Sequence, residues 1–159
     1  MEVANLLFYE AHLVFFGRNV MALSKLSRSI RDSVAVVTGA ASGMGRATAH
    51  LFGDEGARVA LLDVNNAALE KVNEELRDAG YDSKAWCVDL SDGKIIKKVF
   101  LEISQHFGGI DILINNAGIS RFAPIDNDDY EIAWHESIAV LLTAHTLTVR
   151  AALPHLRKA

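Results

Sequence analysis

Gly39, Gly43 and Gly45 close the stretch Val34-Ala35-Val36-Val37-Thr38-Gly39-Ala40-Ala41-Ser42-Gly43-Met44-Gly45, and their spacing is the feature of this chain that could do chemistry. An apolar, β-branched run ending in glycine suits a central parallel strand. The following Arg46-Ala47-Thr48-Ala49-His50-Leu51-Phe52 suits the first turns of a helix. Glycine lets the chain reverse sharply and lets backbone approach a ligand closely. The start of a helix presents unpaired N–H groups and the positive end of its dipole, which favours phosphate. An ordinary strand-to-helix connection could use the same residue types, but strand, turn and helix in this order favour dinucleotide binding.

The elements around this turn would position a second group. Arg58-Val59-Ala60-Leu61-Leu62-Asp63 reads as a second strand, after a first helix ended by Gly56. Asp63 lies 18 residues after Gly45 (63 − 45), near the distance at which a carboxylate meets an adenosine ribose. An acceptor there bonds the 2′- and 3′-hydroxyls of NAD and repels the extra phosphate of NADP. The turn residues Ala40, Ala41 and Ser42 include no cation to pair such a phosphate, so NAD is expected over NADP. A strand-end aspartate capping the next loop would look the same. Asn65 or Asn66 can cap a helix with Leu69, Val72 and Leu76 on its buried stripe and Gly80 as its stop. Lys84 to Val88 reads as a third strand ending in Asp89-Leu90, and Ser91 as the cap of a helix whose core face carries Ile95, Ile96, Val99, Phe100 and Ile103. Gly108-Gly109 closes that helix before the apolar strand Ile110 to Ile114. Asp126, Asp128 and Asp129 precede a long helix expected from about Asp129 to Leu153 and stopped by Pro154. Trp134, Ile138, Leu141, Leu142 and His145 recur along it, on a face suited to core or subunit contact.

Two motifs carry a resemblance. Thr38, Gly39, Gly43 and Gly45 form TGxxxGxG, and Asn115-Asn116-Ala117-Gly118 forms NNAG just after the fourth apolar strand. In this order they are similar to the two signatures of the short-chain dehydrogenase/reductase family, over residues 30 to 156. The resemblance implies an α/β fold, a Rossmann-like doubly wound parallel sheet, in which this chain stops after the fourth strand and its following helix. It implies a cofactor site at Gly39, Ala41, Ser42, Gly43, Met44, Gly45, Asp63, Asp89, Leu90, Asn116, Ala117 and Gly118. In the family an aspartate at the place of Asp89 receives the adenine amino group, and an asparagine at the place of Asn115 ties the central strands together. The long helix of the family helps to form a dimer or tetramer, so a homo-oligomer is one expected partner arrangement, beside the dinucleotide and a small alcohol or carbonyl substrate.

The family's reaction is hydride transfer between nicotinamide and an alcohol or carbonyl. A tyrosine acts as acid/base and a lysine four residues later assists it, because a phenol with a pKa of about 10 needs a neighbouring cation to work near neutral pH. A serine polarises the substrate oxygen, and a helix asparagine supports a proton-relay water. Residues four positions beyond Tyr9, Tyr81 and Tyr130 are Leu13, Ala85 and Trp134, so no YxxxK is present. Leu141 stands where the family has its asparagine. The expectation is the dinucleotide-binding half of an NAD(P)-dependent oxidoreductase, with no catalytic residue assigned and no activity alone. The sheet order 3-2-1-4 would leave the fourth strand with an open edge. A non-catalytic NAD-binding or interaction protein is the alternative. A methyltransferase-type nucleotide fold shares the turn and acidic residue, but the glycine spacing and NNAG argue against it.

Composition agrees with one globular domain. The chain has 159 residues, half of them hydrophobic, a net charge of −4 and scattered basic residues, which gives no footprint for nucleic acid. The single cysteine, Cys87, excludes an internal disulfide, suits a reducing, cytoplasmic setting and reads as a buried core thiol. The six histidines show no metal-ligand spacing, so no metal is expected. Residues 1 to 30 fall outside the 31–159 dinucleotide-binding domain. Their stripe of Leu6, Tyr9, Leu13, Phe16, Val20 and Leu23 suits one helix face, interrupted by Glu10, His12 and Arg18, so it does not suit a bilayer span. A signal peptide is not expected, because the start is acidic (Glu2) and no small-residue cleavage site follows. An upstream extension ahead of a start at Met21 is expected, with a docking amphipathic helix as the other reading.

Overall fold

The computed structural model describes residues 29–159; the helix reading for residues 1 to 28 lies outside the described residues. From Val34 the chain alternates strand and helix. β1 (Val34–Thr38), β2 (Arg58–Asp63), β3 (Ser83–Cys87) and β4 (Ile112–Ile114) are parallel, in the order β3-β2-β1-β4. Between them run α1 (Gly43–Asp54), α2 (Asn66–Asp78) and α3 (Gly93–Phe107). After β4 come α4 (Tyr130–Ile138), one π-helical turn (Ala139–Thr143) and α5 (Ala144–Leu156). Thr38 pairs with Leu62, and Val37 with Ile114, so the C-terminal ends of β2, β1 and β4 lie side by side. This is the expected Rossmann-like α/β sheet, complete through four strands.

β1 as far as Val37, and β2 between Arg58 and Asp63, are apolar because both faces are covered. Val34, Val36, Ala60 and Leu62 pack with Phe100, Ile103 and Phe107 of α3 and with Ala144 and Ala152 of α5. Val37, Val59 and Leu61 pack on the opposite face with Ala49 of α1 and Leu69, Val72 and Leu76 of α2. Each such side chain taken out of water contributes roughly 1.5–3 kcal/mol. The strands are thus sandwiched, and alternation along them is hidden from a simple reading of polarity.

Several boundaries differ from the sequence reading. Cys87 is exposed, not a core thiol. It ends the edge strand β3, where alternation turns Trp86 inward and Cys87 outward, its Sγ 3.5 Å from the Val64 carbonyl. Ile95 is also exposed, because the stripe of α3 is centred on Ile96, Val99, Phe100 and Ile103. The cap of α3 is Asp92, not Ser91: its Oδ1 accepts from the N–H groups of Lys94 and Ile95 at 2.8 and 3.4 Å. Asn65 caps α2 by accepting from Ala68 N at 3.2 Å. Pro154 does not stop the last helix, which runs on to Leu156. Proline removes a single N–H, and so close to the terminus only one further pair of residues depends on the continued winding.

The helical stretch after β4 is only partly covered. Trp134, Leu141 and Leu142 are exposed, as are Ile132, Val149 and Leu153, while Ile138 and His145 are half-buried. Tyr130–Leu156 is long and apolar enough, by length and composition alone, to cross a membrane. Among the described residues β4 has a strand partner on one side only.

The capping geometry predicts that Asp92→Ala costs about 1 kcal/mol, while Ser91→Ala stays within roughly 0.5 kcal/mol. Urea denaturation of the two variants checks this; an equal cost for both would contradict the assigned cap.

Candidate functional site

The site begins where β1 runs out. Gly39 has φ +66, in the left-handed region, and a Cβ built on it would lie 2.8 Å from Ala117 Cα and 2.9 Å from Asn116 Nδ2. A side chain there would therefore be both strained and obstructed. Gly45 is helical, and a Cβ on it would run into the Gly39 carbonyl oxygen and lie 2.6 Å from Asn116 Nδ2. Gly43, by contrast, faces open space. Two glycines thus let the turn close against the β4 loop, and the third keeps its outer side clear. Ser42 stands at the N-cap of α1 with no side-chain capping bond, so the first N–H groups of this 12-residue helix are left to the cleft in front of them.

Thr38 fastens the floor. It is fully buried, and its Oγ1 donates to the Ile114 carbonyl at 3.2 Å while accepting from Asn116 N and Ala117 N at 2.9 and 3.0 Å. Asn116 returns the contact, its Nδ2 donating to the carbonyls of Thr38 and Gly39 at 3.0 and 3.3 Å. The tie between the central strands is therefore made by Asn116, not by Asn115 as the resemblance implied. Beyond the strand end Asn115 turns the other way, and its Oδ1 accepts from the Thr148 hydroxyl of α5 at 2.8 Å. Asp63 performs the same service at the end of β2. Its two carboxylate oxygens accept from Ala41 N at 3.0 Å and from Asn65 N at 2.9 Å, fixing the carboxylate beside the turn. Asp89 Oδ1 accepts from Ser91 N at 2.9 Å.

A cleft of about 370 Å³ opens over these strand ends. Ten of the sequence-derived residues line it: Gly39, Ser42, Gly43, Met44, Asp63, Asp89, Leu90, Asn116, Ala117 and Gly118. Ala41 and Gly45 do not. Ala41 packs into the core beneath and lends its N–H to Asp63, and Gly45 lies behind the turn. Sequence reasoning missed Val64, Val88, Ile119 and Val140, which also line the cleft. Apolar residues at strand ends carry no signal that separates cleft wall from core, although Val64 and Val88 each follow directly on a strand. Thr38, noted only as the residue before the glycines, is the hub of the floor.

The cleft's titratable side chains, among the described residues, are Asp63 and Asp89; no tyrosine, lysine or histidine lines it. Tyr81 lies away from the cleft, in a depression shared with Gly53 and Asp54. Its hydroxyl donates to Asp54 Oδ1 at 2.7 Å, and this bond, then burial, then the charge of Asp54, raise its pKa above 10.0. Among the described residues no group of three or more histidine, cysteine or acidic side chains could hold a metal ion.

An open parallel sheet with a helix N-terminus and two carboxylates around one cleft at its strand ends defines a nucleotide-binding fold of the Rossmann type. The family model for short chain dehydrogenases matches residues 33–159, and the chain belongs to that family. It is 34% identical over 133 residues to the 2,5-dichloro-2,5-cyclohexadiene-1,4-diol dehydrogenase LinX of Sphingobium indicum, covering 84% of this chain and 53% of that one. A metagenomic short-chain oxidoreductase solved in complex with NADP is similar at 35% identity and a TM-score of 0.76, over 80% of this chain and 58% of that one. Carveol dehydrogenase from Mycobacterium avium, solved with NAD, shares the fold at 24% identity and a TM-score of 0.75, over 82% and 51% of the two chains. The chain spans about half the length of the curated relatives it matches.

Two substitutions probe this architecture. Thr38→Val keeps the shape but strands two half-buried N–H groups and a carbonyl, and is expected to cost about 1–3 kcal/mol in urea denaturation, with partial relief by water. Gly45→Ala should also destabilise the fold, by about 1–3 kcal/mol, since neither the Gly39 backbone nor the Asn116 amide can yield without opening the turn.

Proposed function

We propose that this chain binds an adenine dinucleotide in the cleft over β1, β2 and β4, and NAD in preference to NADP. The observation that carries this reading is the uncapped N-terminus of α1 opening onto a cleft flanked by Asp63. The pyrophosphate would lie over Ser42, Gly43 and Met44, where unpaired N–H groups and the helix dipole meet negative charge. The clear space in front of Gly43 leaves room for it. Asp63, held by Ala41 N and Asn65 N, retains lone pairs for the ribose hydroxyls. Asp89 and Leu90, with Val64 and Val88, would form the adenine pocket, and Asn116, Ala117 and Gly118 the wall toward the second ribose. Ala41 and Gly45 contribute by shaping the turn.

One neighbour holds NADP and another NAD, so the preference rests on the chemistry of residue 63. A carboxylate there repels a 2′-phosphate, and neither Ala40, Ala41 nor Ser42 can neutralise one.

The class of reaction proposed for the whole protein is hydride transfer between nicotinamide and an alcohol or carbonyl. When bound, the nicotinamide of NAD supplies the hydride acceptor. Residues 29–159 bind and orient the nucleotide, and they bring to the cleft no phenol, ammonium or imidazole that could move the substrate's proton. We therefore assign these residues the binding half of the reaction and no turnover by themselves. That same observation favours the second reading, a nucleotide-binding protein derived from this family that performs no redox chemistry. The exposed lone thiol of Cys87 suits a reducing compartment, the cytoplasm.

Calorimetric titration of the chain should show NAD binding tighter than NADP, and Asp63→Asn should narrow that gap by about tenfold, or about 1.4 kcal/mol. Equal affinities in the unaltered chain would overturn the preference. Turnover of simple alcohols by the chain alone, followed by NADH absorbance, would overturn the assignment of binding without chemistry.

A further inference from the structure

A second cavity, of about 440 Å³, lies in the valley between α3 and α5 and shares no lining residue with the cleft. Its walls are two matching stripes. Gly93, Ile96, Lys97, Phe100 and Leu101 come from α3. Leu147, Arg150, Ala151, Pro154 and His155 come from α5. Both sets follow the steps of three and four that bring side chains onto one helix face. Ile96 and Phe100 are buried and form the floor, and Leu147 and Ala151 pack against the same core. A Cβ on Gly93 would lie 2.9 Å from Leu147 Cδ1, so these first residues of the two stripes close the furrow at one end.

The charges around this furrow are of one sign. Lys97 rises on the α3 wall and Arg150 on the α5 wall, each about one turn beyond the Gly93–Leu147 contact. No acidic residue lines the furrow. Among the described residues, neither Lys97 nor Arg150 has an ion pair or a side-chain hydrogen bond. The acids next to the α3 stripe are engaged elsewhere. Asp92 accepts from the N–H groups of Lys94 and Ile95, and Glu102 pairs with Lys98 at 3.8 Å. His155 is the remaining polar side chain of the lining.

These features define a ligand. The hydrocarbon floor gains by losing its water, and two unpartnered cations gain by meeting an anion. Lysine and arginine lay their stems along apolar surface and keep their charged ends at its rim. An α-helix with its side chains is about 10–12 Å across, so this cavity would take only a strip of one. A single alkyl chain lies within it, and the volume falls in the range of small-ligand sites, roughly 300–1,000 Å³. We propose that the furrow between α3 and α5 binds a long-chain aliphatic carboxylate, a free fatty acid. The alkyl chain lies along Ile96, Phe100, Leu147 and Ala151, with the carboxylate at the rim between Lys97 and Arg150. This site is separate from the cleft and does not depend on the nucleotide reading.

Titration of the isotopically labelled 159-residue chain with sodium laurate, kept below the concentration at which it forms micelles, tests this through amide chemical shifts. Saturable shifts are expected at Phe100, Leu147 and Ala151, with Ser42 to Gly45 unmoved. Laurate should bind at least about tenfold more tightly than butyrate, because each buried methylene adds to the gain. Lys97→Gln and Arg150→Gln should each weaken laurate binding about threefold, the worth of an exposed ion pair, and leave uncharged dodecanol unaffected. Both positions are exposed, so the fold is retained, which an unchanged urea midpoint checks. No saturable shift in the furrow, or equal binding of laurate and butyrate, would overturn the site. Unchanged laurate affinity in both variants would overturn the choice of an anion. Furrow shifts produced by dilution alone, with a matching change in sedimentation, would make a second copy of this chain the occupant. Furrow shifts produced by Phe16→Asp would make it the chain's own N-terminal stretch. Either of these results would overturn the proposal.

Discussion

A single buried hydroxyl joins the two strand ends between which the cleft opens. β4 is only three residues long and pairs with β1 through three register positions. Past Ile114 the strands would part, but the Thr38 hydroxyl continues the attachment by accepting from Asn116 N and Ala117 N, and the Asn116 amide answers from the other side. Each such bond contributes only about 1 kcal/mol net, yet leaving one unmade inside the core costs more than making it gains. The loop after β4 is thereby held within contact of the glycine turn.

The three glycines divide their work accordingly. Gly39 and Gly45 are small because protein backbone and the Asn116 amide crowd against them, whereas Gly43 is small toward open space. The crowded pair lets turn, helix and β4 loop approach closely, and the open one lets a ligand approach the helix N-terminus. Asp63 links the same turn to β2 through Ala41 N, so its carboxylate is placed before any ligand arrives. Such preorganisation leaves little ordering entropy to oppose binding.

The inner strands and the turn were legible in the sequence because burial on both faces demands unbroken apolar runs, and glycine spacing reports backbone proximity directly. Other features depended on tertiary context. The sequence does not show that β3 is an edge strand, and so Cys87 could be placed in the core when it faces solvent. The parity of Asn115 and Asn116 depends on where β4 ends, which two identical neighbours cannot reveal. Asp92 displaced Ser91 as the cap because Asp89 claims the Ser91 N–H and turns the chain one residue further before α3 begins. Val64, Val88, Ile119 and Val140 look like core residues in sequence, and only the sheet's opening shows them to be cleft wall.

The central claim is that nucleotide binds at the C-terminal ends of β1, β2, β3 and β4 and at the start of α1. Amide chemical-shift mapping of the isotopically labelled chain during titration with NAD measures that most directly. The account predicts the largest, saturable shifts at Ser42, Gly43, Met44 and Gly45, together with Val64 and Val88 to Leu90, and little change along the groove between α3 and α5. Saturable shifts concentrated in that groove, around Phe100, Leu147 and Ala151, with the glycine turn unmoved, would contradict it.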